Sequence, residues 1–340
     1  MLAPMTDTQF TAIQTEAADP AACAIERAII EAAGGRVIVQ RVTNQQERAL
    51  LLKDAHCVLV SAAPITADLL DRLPKLQLIV RSGVGLDTLD IPAATARGIV
   101  VAHYPHYCQP EVANHAVMLL LAVARKLLEH DRSIREGRYR GVPLGVSAPI
   151  VGETIGIVGI GNIGRQFAKR ALALGMDAIA YDPYVGDEVF STLGITRAAS
   201  LEDLLRRADH VSIHTPLTAE TRHMFGRAQF ALMKPTSIIV NTARGPVIEE
   251  AALVEALRAR RIAGAGLDVF EVEPVAAGSP LFAFDNVVLT PHSAFYSERS
   301  NQLVKQLIGK TVVAFMQGRW PDEFAALPNR HDVKPRAKLR

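Results

Sequence analysis

The sequence predicts an α/β protein built as two Rossmann-like, doubly wound lobes, and three observations carry that prediction. Short apolar strand patterns alternate with helical patterns along nearly the whole chain, as in parallel sheets covered by helices. Within 154–182 a strand, a G-x-G-x-x-G turn, a helix and a second strand ending in an acid follow in order. The length, 340 residues, is enough for two domains with a sizeable core in each.

The totals narrow the class. Hydrophobic residues at 49% and charged residues at 21% are the balance of a soluble globular chain. A formal net charge of +2 creates no overall field toward nucleic acid or a membrane surface. Cys23, Cys57 and Cys108 are odd in number and lack metal-type spacing. They read as reduced thiols of a cytoplasmic protein, and no metal site is expected. Residues 1–18 lack a basic region followed by an apolar stretch, so no signal peptide is expected. The longest apolar segment, 116–124, is well short of the roughly twenty residues that cross a bilayer.

From the front, 1–9 reads as a loose leader, 10–14 as a strand, and 20–33 as a helix closed by Gly34 and Gly35. Strands at 36–42, 57–61 and 76–80 alternate with helices at 45–54 and 66–73, the latter capped by Thr66. The last of these strands runs into Arg81-Ser82-Gly83-Val84-Gly85-Leu86-Asp87. Backbone N–H groups exposed there, at the carboxyl end of a strand, suit a small carboxylate. Arg81 can add a bidentate contact; an ordinary glycine turn with a solvated arginine fits the local sequence equally well. A strand at 99–102 and a two-proline linker at 104–110 lead into a long helix over 111–128, apolar at Val112, Ala116, Leu119, Leu120 and Val123. The segment 125–140 mixes its Arg and Lys with Glu129, Asp131 and Glu136, and reads as a solvated helix and arm rather than a nucleic-acid surface.

In the central motif the apolar run 154–158 suits a strand buried on both faces. Gly159 permits a tight turn, Gly161 lets the backbone approach a pyrophosphate, and Gly164 lets helix and strand pack closely. Asn162 and Ile163 lie between the last two glycines, where N–H groups and the positive helix end face phosphate oxygens. Asp182 sits at about the twenty-residue offset where a carboxylate accepts from the adenosine ribose. No Arg or Lys occurs in 182–187 to hold an extra phosphate, so NAD is preferred over NADP. A glycine-rich turn in some other α/β protein is the plainer alternative; five features in the right order favour the dinucleotide.

Beyond it, strands are expected at 210–214, 237–241, 263–268 and 287–289, with helices at 201–208, 227–232 and 249–260. Their ends carry chemistry: His214-Thr215-Pro216 to line the cofactor groove, Asn241-Thr242-Ala243-Arg244-Gly245, Asp268 to Pro274, and Thr290-Pro291-His292-Ser293. Hydride exchange with a carbonyl needs a proton at the oxygen, and histidine is the natural donor. A carboxylate on its other nitrogen fixes the tautomer, and a guanidinium grips a substrate carboxylate with two parallel bonds. Singly, Arg244 can cap a helix and Glu271 or Glu273 can be solvated. A final helix at 297–316 returns the chain to the first domain, and the basic tail 328–340 reads as disordered.

These stretches, together with Gly266 to Pro274 and His214-Thr215-Pro216-Leu217-Thr218, resemble the D-isomer-specific 2-hydroxyacid dehydrogenases over residues 10–328. The form Pro291-His292-Ser293-Ala294-Phe295-Tyr296-Ser297-Glu298 is similar to the C-terminal-binding-protein-like branch of that family, which includes reductases and corepressors. The resemblance implies an NAD-binding domain at 107–294 inserted into a flavodoxin-like substrate domain made of 1–106 and 295–340, with the site in the cleft. It implies His292 as acid and base, Glu273 as its partner, Arg244 on the substrate carboxylate, and Asp268 beside the nicotinamide. Thr242 and Ala243 join the cofactor-binding set, while Val84 and Gly85 N–H groups hold the substrate carboxylate. A homodimer through the NAD domain is also implied. The chain departs from the pattern at His103, where the family commonly has Asn, and at Phe295, where related corepressors carry Trp. Tyr107 falls where lactate-type members place a substrate-facing tyrosine. Arg81 would suit a second anionic group on the substrate; Tyr107 and Phe295 would suit an apolar side chain. The expected function is interconversion of a D-2-hydroxy acid and a 2-oxo acid with NAD. The alternative is an NAD(H)-sensing dimeric interaction protein with incidental turnover.

Overall fold

The computed structural model describes residues 9–139 and 148–340, so the leader up to residue 8 and Arg140 lie outside the described residues. The chain divides into two compact units, Met1–Tyr107 with Ser297–Arg340, and Cys108–Tyr296.

The front of the first unit is a parallel sheet of β1 (Thr11–Gln14), β2 (Arg36–Val39), β3 (Cys57–Val60), β4 (Leu78–Arg81) and β5 (Val100–Ala102), ordered β2-β1-β3-β4-β5. That is the flavodoxin-like order. Ile13 lies opposite Ile38 on one side and Val58 on the other. Such strands are buried on both faces, which is why they read as unbroken apolar runs. Between them run α1 (Ala24–Ala32), α2 (Gln45–Leu52), α3 (Ala67–Asp71) and α4 (Ile91–Ala96). Asn44 accepts from Glu47 N at 2.9 Å, Thr66 from Leu69 N at 3.3 Å and Asp90 from Ala93 N at 2.9 Å. Each side-chain cap satisfies a backbone donor that the first helical turn leaves over. The short helix α4 was not foreseen; six residues cannot display a helical period.

The second unit opens with α5 (Gln109–Ala124) and α6 (Leu127–Arg135). The single helix expected over 111–128 is thus two: Lys126 takes a left-handed φ of 52° and breaks the hydrogen-bond ladder. Then come β6 (Thr154–Val158), α7 (Asn162–Ala173), β7 (Asp177–Tyr181), α8 (Asp187–Leu193), β8 (Thr196–Arg197), α9 (Leu201–Arg207), β9 (His210–Ile213), α10 (Arg227–Leu232), β10 (Ile238–Asn241), α11 (Glu250–Arg258), β11 (Gly264–Leu267) and β12 (Val287–Leu289). The sheet order is β12-β11-β10-β9-β6-β7-β8. Chain direction across the sheet reverses between β6 and β9, the switch point where open α/β sheets hold ligands. Alternate residues feed two cores. Val158, Ile213 and Ile239 pack with Leu204 and Leu253 on one face. Ile155, Ile157 and Val240 pack with Leu119 and Phe167 on the other. Each such fully buried side chain contributes about 1.5–3 kcal/mol.

The chain re-enters the first unit at α12 (Glu298–Met316), capped by Ser297, which accepts from Ser300 N at 3.0 Å. The tail does not behave as expected from its composition. Asn329 is buried, accepting from Val101 N at 3.1 Å and donating to Ile99 O at 2.9 Å. Ala326 exchanges two backbone hydrogen bonds of 3.0 Å with His103. Arg336 Nη1 donates to the carbonyls of Leu73, Pro74 and Leu76 at 3.2, 2.9 and 2.9 Å. The predicted disorder is therefore corrected: Arg336 closes off carbonyls of the loop ahead of β4, and Val333 is buried.

No helix among the described residues is long and apolar enough to cross a membrane.

Candidate active site

β6 delivers the chain into Gly159, which takes a φ of +90°. A Cβ there would stand 2.8 Å from Thr215 N, so the segment after β9 lies directly on the glycine turn. At Gly164 a Cβ would meet Gly159 O at 2.2 Å, whereas at Gly161 it would meet nothing within 4 Å. The turn is thus closed against the protein at two glycines and open at the third. α7 begins at Asn162 with Gly161 before it and no side-chain cap. Its leading N–H groups, at Asn162, Ile163 and Gly164, join the positive helix end there, the arrangement that receives phosphate.

Asp182, at the end of β7, accepts from Ile160 N through Oδ2 and from Tyr184 N through Oδ1, both at 3.0 Å. It therefore braces the glycine turn from the neighbouring strand. The structure also brings in a cation that the local sequence did not reveal: Arg197, on β8, pairs with Asp187 and lies 3.5 Å from Asp182 O. His214 packs against Phe167 with the rings tilted at 43° and 4.8 Å between centroids, and its Nε2 meets Ser212 Oγ at 2.9 Å. Burial pushes its pKa down to about 3, so the ring is neutral and serves as a wall. Its Nδ1 and the hydroxyl of Thr242 are buried with no protein hydrogen-bond partner. Orphaned polar atoms beside an open turn fit a bound polar cofactor. Pro216 O accepts from Thr221 at 2.7 Å, which fixes the chain after Thr215.

The three remaining strand ends converge within the second unit. Buried Asn241 donates to Arg244 O at 2.9 Å and accepts from Ala243 N at 3.0 Å. Arg244 Nη1 in turn reaches Ala243 O at 2.7 Å. Next to it, a Cβ on Gly245 would lie 1.8 Å from Phe270 O, so the loops after β10 and β11 meet backbone to backbone. Fully buried Asp268 accepts from Thr290 Oγ1 at 2.6 Å, Ser293 N at 2.9 Å and Ala294 N at 2.9 Å. Its carbonyl accepts from His292 N at 2.7 Å. These bonds hold His292 at a φ of +53°, a left-handed value that few residue types tolerate.

The His292 ring meets Glu273 Oε2 through Nδ1 at 2.7 Å. Burial works to raise the Glu273 pKa. Hydrogen bonds from His292 and Phe270 N, with the Arg244 charge, outweigh it and hold the carboxyl below its ordinary range. Glu271, the other acid considered, is occupied elsewhere: it meets His223 at 2.6 Å and accepts from Glu250 N at 2.8 Å. The residues taken singly left the two acids open and the resemblance pointed to Glu273; the fold sets Glu273 against His292 and Glu271 against His223.

In the first unit Arg81 folds over Gly83, where a Cβ would lie 2.4 Å from its Nη1. Val84 O accepts from His103 Nδ1 at 2.9 Å, which orients the peptide leading to Gly85. Burial, Arg81 and His106 lower the His103 pKa against the pull of that bond, so the ring is neutral with its proton on Nδ1. Tyr107 is buried in this unit, and Phe295 is part-exposed at the end of the other. One polar residue went unremarked in the sequence: His115, on α5, whose Nε2 lies 2.8 Å from Thr290 Oγ1. Its i±4 neighbours are Glu111 and Leu119, so only the fold shows Thr290 as its partner. Among the described residues no cluster of His, Cys, Asp and Glu could hold a metal ion.

Comparison with known proteins identifies the family. Residues 117–294 match the family described as D-isomer specific 2-hydroxyacid dehydrogenase, NAD binding domain. A glyoxylate reductase of Korarchaeum cryptofilum is 38% identical over 88% of this chain and 88% of its own length. A D-3-phosphoglycerate dehydrogenase of Methanocaldococcus jannaschii is 38% identical over 87% of this chain, which spans only 56% of that protein. Among solved structures, the D-lactate dehydrogenase of Aquifex aeolicus, complexed with NAD and lactic acid, superposes with a TM-score of 0.82 at 27% identity, covering 90% of this chain and 96% of that one. The chain belongs to the D-isomer specific 2-hydroxyacid dehydrogenase family, and the unit that carries the glycine turn is the family's NAD-binding domain.

Proposed function

We propose that this chain is an NAD-dependent oxidoreductase that interconverts a D-2-hydroxy acid and a 2-oxo acid, with 107–294 as the cofactor domain and 1–106 with 295–340 as the substrate domain. The observation that carries the reading is the His292–Glu273 pair, 2.7 Å apart and locked in orientation by Asp268. When bound, NAD supplies or takes the hydride. The glycine turn, with Asn162 and Ile163, holds its pyrophosphate. Asp182 takes the ribose, while His214, Thr215, Pro216, Thr242 and Ala243 line the groove and Asp268 stands near the nicotinamide.

An ionised Glu273 keeps the Nδ1 proton of His292, which leaves Nε2 to give a proton to the substrate oxygen in reduction and to take it back in oxidation. Arg244 binds the substrate carboxylate and polarises the carbonyl next to it. Val84 and Gly85 N–H groups hold the same carboxylate, and Arg81, Tyr107 and Phe295 select the rest of the substrate. A cytoplasmic setting fits three buried cysteines, none of them bridged.

A screen of glyoxylate, hydroxypyruvate, pyruvate, phenylpyruvate and 3-phosphohydroxypyruvate with NADH tests this. Brisk NADH oxidation with any one supports the enzyme. Tight NADH binding with turnover of none would instead favour the sensing protein, a reading for which the exposed Phe295 and Tyr296 speak.

Asp182→Ala should weaken NADH binding roughly tenfold, the size of one charge-assisted hydrogen bond, and relax the preference over NADPH. Fluorescence titration with both cofactors checks this, and an unchanged preference counts against Asp182 as the ribose reader. We also propose a homodimer through the NAD domain. Leu127, Leu128 and Ile134 stand exposed on and beside one face of α6, with Tyr139 and Val151 exposed nearby in sequence, and such patches mark association surfaces. Sedimentation should give twice the monomer mass; a monomer at micromolar concentration would overturn the dimer.

A further inference from the structure

We infer that His115 is a positioning residue for the His292 imidazole, acting across the sheet end through Thr290 and Asp268; the inference rests on His292 being the acid and base proposed above. Counting protons fixes the direction of the chain. Asp268 accepts backbone N–H groups from Ser293 and Ala294 at 2.9 Å each and the Thr290 hydroxyl at 2.6 Å. A hydroxyl has one proton, and that of Thr290 is given to Asp268. The 2.8 Å contact between Thr290 Oγ1 and His115 Nε2 therefore takes its proton from the imidazole. The same Nε2–H lies 3.5 Å from Asp268 Oδ1 and leans toward both oxygens. Burial, working against the Asp268 charge, lowers the His115 pKa, which makes the ring neutral with its proton on Nε2.

The consequence is a clamp assembled from three segments separated in sequence. α5 supplies His115, and the loop after β12 supplies Thr290 at one end and Ser293 and Ala294 at the other. Asp268 joins them, and its own carbonyl takes His292 N at 2.7 Å. Each backbone donor from 292 to 294 thus reaches Asp268, that of His292 shared with Thr290 O at 3.1 Å. His292 keeps its left-handed backbone, φ +53°, only while those bonds hold. Without the His115 donor, Thr290 is free to turn its hydroxyl away from Asp268, and the side of the loop that precedes His292 loosens. The imidazole then spends less time aligned with Glu273 and the substrate oxygen. This affects the chemical step and leaves the glycine turn alone.

Four variants test the clamp: His115→Ala, His115→Gln, Thr290→Val and the double variant His115→Ala with Thr290→Val. Two readouts are needed, steady-state reduction of whichever of glyoxylate and hydroxypyruvate is turned over faster, and amide exchange at Ser293 and Ala294. In His115→Ala we expect kcat to fall about tenfold with KM and NADH affinity within about twofold, since only alignment in the chemical step is lost. Exchange at Ser293 and Ala294 should quicken about tenfold, as expected when a local opening becomes easier. Glutamine, which returns an N–H near the same place, should recover kcat to within about threefold. The double variant should be no worse than the poorer single one, the mark of residues that act as a unit. Wild-type kcat and exchange in His115→Ala, or losses that multiply in the double variant, overturn the inference. Should His115→Ala not fold, Thr290→Val and His115→Gln decide: wild-type exchange and kcat in Thr290→Val overturn it. Should His292→Ala retain turnover, the proposed reaction falls instead, and the exchange readout still judges the clamp.

Discussion

His292→Ala is expected to lower the turnover of 2-oxo acids by roughly 10²- to 10⁴-fold, the usual contribution of a positioned general acid, while NADH binds as before. The two effects separate because the imidazole lies on the loop after β12, while the glycine turn lies between β6 and α7. Nothing in the hydrogen bonding of the turn, which runs through Asp182 and Ile160, involves His292. Alanine tolerates the left-handed backbone at this position poorly, so His292→Asn is the better-behaved partner variant. Asparagine accepts such a φ and offers no titratable group, and it should show the same loss. Normal turnover in either variant would sink the acid–base assignment. Equal losses of turnover and of NADH affinity would point to collapse of the domain.

The second large effect belongs to a residue with no side chain. Gly245→Ala should destabilise the second unit by about 3 kcal/mol, the upper end for forced overpacking, and reduce turnover at least a hundredfold. The added Cβ would lie 1.8 Å from Phe270 O and 2.6 Å from Glu271 N, and both are backbone atoms that no rotamer change can move aside. The strand-end loops must then part, and one carries Arg244 while the other carries Glu273. A single methyl group separates the guanidinium from the acid that supports the imidazole. Gly161→Ala is the control, since its Cβ would meet nothing within 4 Å. It should leave the melting temperature unchanged and act only on cofactor affinity. Thermal melts and NADH titrations of the two variants check the contrast; a stable, active Gly245→Ala protein would show that the loops can part without harm.

How much of this was legible in the chain depends on how local each feature is. The glycine turn and Asp182 lie within one strand-helix-strand unit, and each residue there has a role that spacing alone suggests. The sheet architecture was legible for a similar reason, because strands buried on both faces announce themselves as apolar runs. Contacts across the sheet were not. The choice between Glu271 and Glu273 turns on which acid is captured by His223, and that residue is 48 positions away from its partner. Arg197 reaches the Asp182 carbonyl from a two-residue strand too short to leave a pattern. The break at Lys126 depends on one backbone angle between two segments that are each helical in composition. Composition misread the tail outright, because Arg336 caps carbonyls of the loop ahead of β4 while Asn329 and Val333 are buried.

That tail has a further bearing on the behaviour of the protein. β5 is the outermost strand of its sheet, and Asn329 and Ala326 occupy the hydrogen-bonding groups it would otherwise present. Trimming the chain ahead of Ala326 would uncover a raw strand border, an invitation for molecules to stitch themselves together. The damage would emerge first as clumping on standing, well before any change in the chemistry carried by the other unit.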